Sequence, residues 1–190
     1  MFLYILLTAL VGNIHTAYFP ADSDYNSCYG DTEQTCEDGW TLLIRPQGGW
    51  CIKYYIATIT RANAETACKT ENATLSGIQY PSEITTIVNL YTAVNTVTSG
   101  SRVWIGAYRT PACLTSFLTT TCNATNSFYW TDNFTTGTAG FVWTTGNPNN
   151  NDSLNRRAPV VSLVIIDAGL DDVPDITTGN KGYICGKQAT

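Results

Sequence analysis

Seven cysteines, all downstream of one short apolar run, set the tightest bound on what this chain can fold into. The run, Phe2 to Val11, is too short to cross a bilayer, which takes roughly 20 apolar residues. Small residues follow it and end at Thr16-Ala17, so residues 1–17 read as a secretory signal peptide. No second long apolar run suggests a membrane span. Cys28, Cys36, Cys51, Cys68, Cys113, Cys122 and Cys185 then lie in an exported chain, where an oxidising compartment favours disulfides. No C-x-x-C spacing points to zinc. Seven is odd, so at least one thiol is free or joins another chain, and spacing alone leaves the connectivity open.

The cleavage removes His15, the only histidine. Ser-His-Asp triads, Cys-His pairs and His-ligated zinc are thereby excluded from the mature protein. About 170 residues remain, enough for one domain with its own core. Net charge is −5 with pI about 4.6, and no Lys/Arg cluster offers a surface for nucleic acid. Abundant Thr, Asn, Gly and aromatic residues favour strands and long turns over a helical bundle. Four sequons, at Asn72, Asn123, Asn133 and Asn151, are expected N-glycosylation sites in a secreted chain.

Residues 18–35 are polar and irregular, a lead segment carrying Cys28. Cys36 to Ile44 opens a strand, Gly48-Gly49 is the expected turn, and Trp50 to Tyr55 returns; such a hairpin would bring Cys36 and Cys51 together. Thr60 can cap a helix running through Cys68, with Ala64, Ala67 and Cys68 on one face. Ser82 can cap a second helix, on which Ile84, Ile87, Val88 and Tyr91 form an apolar stripe. Val103 to Tyr108 and Val160 to Ile166 read as buried strands. Leu170 to Val173 reads as a loop with two adjacent carboxylates. Between Pro111 and Asn155 runs a long segment rich in Thr, Gly and Asn, of the length that usually serves function. Within it, Asn147, Pro148 and Asn149 form a loop of side-chain amides around one proline. Each amide offers both a donor and an acceptor, which suits a sugar hydroxyl or a hard cation.

Several of these pieces, in this order, resemble a C-type lectin-like domain: Cys36-x-x-Gly39-Trp40, the helix ending in Cys68, Ala73-Thr74-Leu75 and Trp104-Ile105-Gly106. Asn147-Pro148-Asn149, Leu170-Asp171-Asp172 and Tyr183-Ile184-Cys185 complete the set. The resemblance spans residues 36–188, and Leu114 to Trp143 looks like the secreted nematode branch of that family. It implies an α+β fold of two helices and two small antiparallel sheets, with a long loop bearing the binding site. It implies the pairs Cys36–Cys51 and Cys68–Cys185. Cys113 and Cys122 are close enough to pair as a clip, which leaves Cys28 unpaired or joining two chains in a disulfide-linked dimer.

The departures shape the functional reading. Sugar-binding members hold calcium and sugar with Glu-Pro-Asn or Gln-Pro-Asp, a following Glu and a late Asn-Asp pair. Here those positions read Asn147-Pro148-Asn149, Arg156 and Asp171-Asp172. Calcium affinity rises with carboxylate count, so a site made of Asn147, Asn149, Asp171 and Asp172 is degenerate. The second family disulfide is missing near Ala158 and Pro174. A glycan on Asn151 would crowd the loop. Adjacent residues on a strand face opposite ways, so Asp171 and Asp172 are poorly placed as an acid/base pair, and no enzyme is expected. Trp104 and Trp143 are expected to pack in the core. The resulting expectation is a secreted binding module for glycan or protein ligands, with no certain cofactor and with innate defence as its setting. The alternative is a structural or matrix glycoprotein that uses the fold as a disulfide-stapled scaffold.

Overall fold

A computed structural model of the chain describes residues 33–115, 119–150 and 158–190. The expected signal peptide, Cys28, Asn151 and Arg156 lie outside the described residues. In chain order the elements are β1 (Thr41–Arg45), β2 (Gly48–Ile56), α1 (Arg61–Thr70), β3 (Thr74–Leu75) and α2 (Pro81–Thr92). They continue with β4 (Arg102–Arg109), β5 (Phe128–Trp130), β6 (Val160–Val164), β7 (Gly169–Val173) and β8 (Gly182–Gln188). This is an α+β fold with two helices among the described residues.

The strands follow the order β1-β2-β8-β4-β6-β7, with β3 on β8 and β5 on β4. Two antiparallel groups, β1-β2-β8 and β4-β6-β7, meet along one short parallel seam where Val103 and Trp104 face Gly182 and Tyr183. The two expected sheets are therefore joined into one mixed sheet. Thr35 and Thr190, outside the strands, also exchange backbone hydrogen bonds at 2.8 and 3.1 Å, bringing the two ends of the described unit together.

Alternation along the central strands explains the two cores. Ile52, Val103, Ile105 and Ile184 point to one face and pack with Ile84, Ile87 and Tyr91 of α2. Their neighbours Cys51, Trp104, Tyr183 and Cys185 point to the other face and pack with Ala64 and Cys68 of α1. A helix on each face lets nearly every residue of β4 be buried. Gly106 in β4 carries a close approach: a Cβ there would lie 2.0 Å from the Leu75 carbonyl oxygen, while its N–H donates to Ser76 O at 2.7 Å. Trp104 is fully buried, with Nε1 donating to Ile59 O at 2.8 Å.

Among the described residues the cross-links are Cys36–Cys51, Cys68–Cys185 and Cys113–Cys122, with Cα separations of 5.6, 5.4 and 5.6 Å. Thr60 caps α1, its hydroxyl accepting from Asn63 N at 3.3 Å. Three local expectations are corrected. The β1–β2 turn is Pro46-Gln47, and Gly48 and Gly49 begin β2. Gly49 is glycine because a Cβ would come within 2.9 Å of both Ala189 and Leu42. The N-cap of α2 is Tyr80, not Ser82, because Pro81 takes the first helical turn, where its missing N–H costs nothing. Leu170 to Val173 is strand β7, not a loop: its aspartates find arginine partners that offset the low strand propensity of Asp.

The long segment is pinned from below. Arg45 donates to both carboxylate oxygens of buried Glu83 at 2.9 and 2.7 Å, to Thr135 Oγ1 at 2.9 Å and to Gly77 O at 3.1 Å. Asp132 accepts from Phe134 N and Thr135 N at 3.1 and 2.8 Å and from Gly77 N at 2.7 Å. Trp130 stacks on Phe141 at 3.9 Å, and Phe128 meets Trp143 at 4.8 Å. A charged, aromatic base of this kind gives the amide loop a rigid footing.

Candidate ligand-binding cleft

The loop hangs on one carboxylate. Asp172, in β7, is fully buried at its side chain. Its Oδ1 accepts from Asn149 N at 2.8 Å, and its Oδ2 accepts from Asn150 N at 2.7 Å and from Arg109 Nη2 at 2.5 Å. Arg109, at the end of β4, is equally buried, donates from Nε to Ala158 O at 3.1 Å, and lies 4.4 Å over the Phe128 ring. Burial raises the Asp172 pKa, against the pull of the two loop N–H groups and Arg109. Burial lowers that of Arg109, against the pull of Asp172. The pair is costly to desolvate; Arg109 serves Oδ2, and the two loop N–H groups add a bond to each carboxylate oxygen that helps offset the cost.

The amides on the loop bind one another. Asn149 Nδ2 donates to Asn147 Oδ1 at 2.7 Å, and Asn147 Nδ2 to Thr144 Oγ1 at 2.8 Å. The Asn147-Pro148 bond is cis, and Pro148 is buried under the turn. Gly146 and Asn150 supply the positive φ values, 85° and 51°, on either side.

Asp171 faces the other way from Asp172, as strand alternation requires. It forms an ion pair with Arg102 of β4, and Arg102 and Asp171 are 30 % and 15 % exposed at their side chains, so this pair is open to solvent. It lines a cleft of about 480 Å³ together with Trp143, Thr145, Asn147 and Asp167. Trp143 is half-buried: its Nε1 donates to Ala124 O at 3.0 Å, and its ring packs on the core and also borders the cleft.

The expected calcium set does not converge. Asn147 and Asp171 line the cleft, Asp172 is turned inward onto Arg109 and the loop backbone, and the Asn147 carbonyl oxygen is taken by Asn149. A cation would meet a guanidinium on each of the two carboxylates. Among the described residues no group of three or more His, Cys, Asp or Glu is placed to hold a metal. These residues do not fit calcium. Arginine charge reaches the described part of the site from β4, through Arg102 and Arg109. Arg102 and Arg109 were not singled out in the sequence, although a charged residue at each end of an otherwise apolar strand was the available signal.

The sequence profile of the C-type lectin domain-containing protein 141/158 family matches residues 45–173, more than half of the chain. The chain belongs to that family. Comparison with curated proteins returns no match. Among solved structures, a calcium-independent type II antifreeze protein is similar at 23 % identity and TM-score 0.56, covering 83 % of this chain and 97 % of its own. The cow carbohydrate-recognition domain of CD23, solved in the presence of a GlcNAc2Man3 oligosaccharide, has 18 % identity and TM-score 0.58 over 83 % of this chain and 98 % of its own. The mouse scavenger receptor C-type lectin domain has 16 % identity and TM-score 0.58 over 82 % of this chain and all of its own, 100 %. At these identities the likeness establishes a C-type lectin-like fold. The matched family is one of C-type lectin domain-containing proteins, and no helix among the described residues is long and apolar enough to cross a membrane.

Proposed function

We propose that this family member is a secreted, non-enzymatic binding module that recognises a glycan, or a protein surface of similar polarity, in the Asn147–Asp171 cleft without calcium. The observation that carries the reading is the division of labour across β7. Asp172 is spent on holding the loop, while Asp171 with Arg102 lines an open cleft beside Asn147 and the edge of Trp143. A carboxylate, a guanidinium and an amide in one cleft match the paired hydroxyls of a sugar, and an indole suits its C–H face. Two carboxylates against one arginine leave the cleft mildly acidic, which disfavours anionic sugars. Microbial surface glycans are the ligands to screen first, in keeping with a role in defence.

The test is a glycan and microbial-surface binding screen with and without chelator. The proposal expects hits that survive chelator and weaken about tenfold in Asn147→Ala and in Asp171→Ala, each losing hydrogen bonds to the ligand. Binding abolished by chelator, or unchanged in both variants, contradicts it.

A further inference from the structure

A second cleft, built from other elements, is bordered by two of the four sequons. Asn72, in the turn after α1, and Asn133, in the pinned segment, both line a groove of about 420 Å³ that also touches Trp50, Phe134 and Lys187. Both asparagines are exposed. Both sit in the left-handed region, with φ of 52° and 56°, which Asn tolerates far better than most residues. Asn123 contrasts with them. It is half-buried, its Oδ1 accepts from Thr125 N at 2.9 Å and Asn126 N at 3.2 Å, and its Nδ2 donates to Thr120 O at 3.3 Å.

We infer that Asn72 and Asn133 both carry N-linked glycans, and that their first sugars lie in this shared groove against the Trp50–Phe134 stack. The two rings stack at 4.5 Å and are 3 % and 9 % exposed, so a narrow apolar edge reaches the groove floor, where a sugar C–H group can meet it. Lys187, which forms an ion pair with Glu37 at 2.9 Å and lies 4.3 Å over Trp40, supplies a polar margin. The consequence is functional. The chain's own sugar occupies this groove, and the Asn147–Asp171 cleft, lined by neither Asn72 nor Asn133, is not filled by these two sugars. The inference rests on the secretory reading, because the modification is made only on exported chains.

The full chain is expressed in cultured animal cells, and glycopeptides are mapped separately from the medium and from the cell lysate. The expected result is a secreted chain with hexosamine on both Asn72 and Asn133. Secreted chain lacking either modification overturns the glycan inference and leaves secretion standing. Chain found only in the cytosol and unmodified overturns both. Placement in the groove is read from stability. Secreted protein trimmed enzymatically to one residual GlcNAc per site should melt with the untrimmed form. Asn72→Asp, Asn133→Asp, which removes the sugars yet tolerates positive φ, should melt lower by about 2–4 °C. Equal melting of the trimmed protein and the double variant would overturn the placement.

Discussion

Cys68→Ala, Cys185→Ala is expected to lose about 5 kcal/mol of folding free energy, the largest effect among the three described cross-links. The bond closes a loop of 117 residues, and the chain-entropy account scales with the logarithm of that length. The same account assigns about 3 kcal/mol to Cys36–Cys51, separated by 15, and about 2.5 kcal/mol to Cys113–Cys122, separated by 9. Position adds to length. Both sulfurs are fully buried in the core between α1 and the central strand β8, so the bond ties the helix face to the sheet. Equilibrium denaturation of the oxidised chain and the double variant reads the difference. A loss below about 2 kcal/mol would show that the reduced, unfolded chain already holds α1 near β8.

Asp172→Asn is expected to cost about 3–5 kcal/mol, because it keeps the shape of the side chain and strands the Arg109 charge in the interior. The amide also replaces one of the two acceptors that hold Asn149 and Asn150, so exchange of those two backbone N–H groups should speed up more than that of α1. Arg109→Met, Asp172→Leu should cost much less than the single change. With no charge left uncompensated, an apolar pair of similar volume is often neutral in stability. It still frees the loop, so its ligand binding should fall although its folding free energy does not. Stability and binding thus separate in the double variant, where a purely packing role for the pair would keep them together.

What the sequence disclosed and what it hid follow from the range of each interaction. The apolar stripe Ile84-Ile87-Val88-Tyr91 is local and periodic, and it forms α2. The pairing of Cys68 with Cys185 was not readable from spacing; the resemblance implied it, and the structure has it. The arginines lay out of reach. Arg109 and Asp172 are 63 residues apart, Arg102 and Asp171 are 69 apart, and nothing in either neighbourhood announces the other. For that reason Leu170 to Val173 reads as a loop from its two aspartates and folds as a strand. The resemblance groups Asn147, Asn149, Asp171 and Asp172 as one site, yet the alternation of β7 turns Asp171 to a cleft and Asp172 to a buried clamp.

Arg109 and two backbone N–H groups engage both oxygens of Asp172, which disfavours a metal at this carboxylate. Isothermal titration of the folded, oxidised chain with calcium tests this most directly. The account predicts no saturable heat up to about 10 mM calcium, well above the 10⁻⁴–10⁻³ M affinities of extracellular calcium modules. A saturable isotherm with a Kd in the millimolar range or tighter, lost in Asp172→Asn, would contradict it.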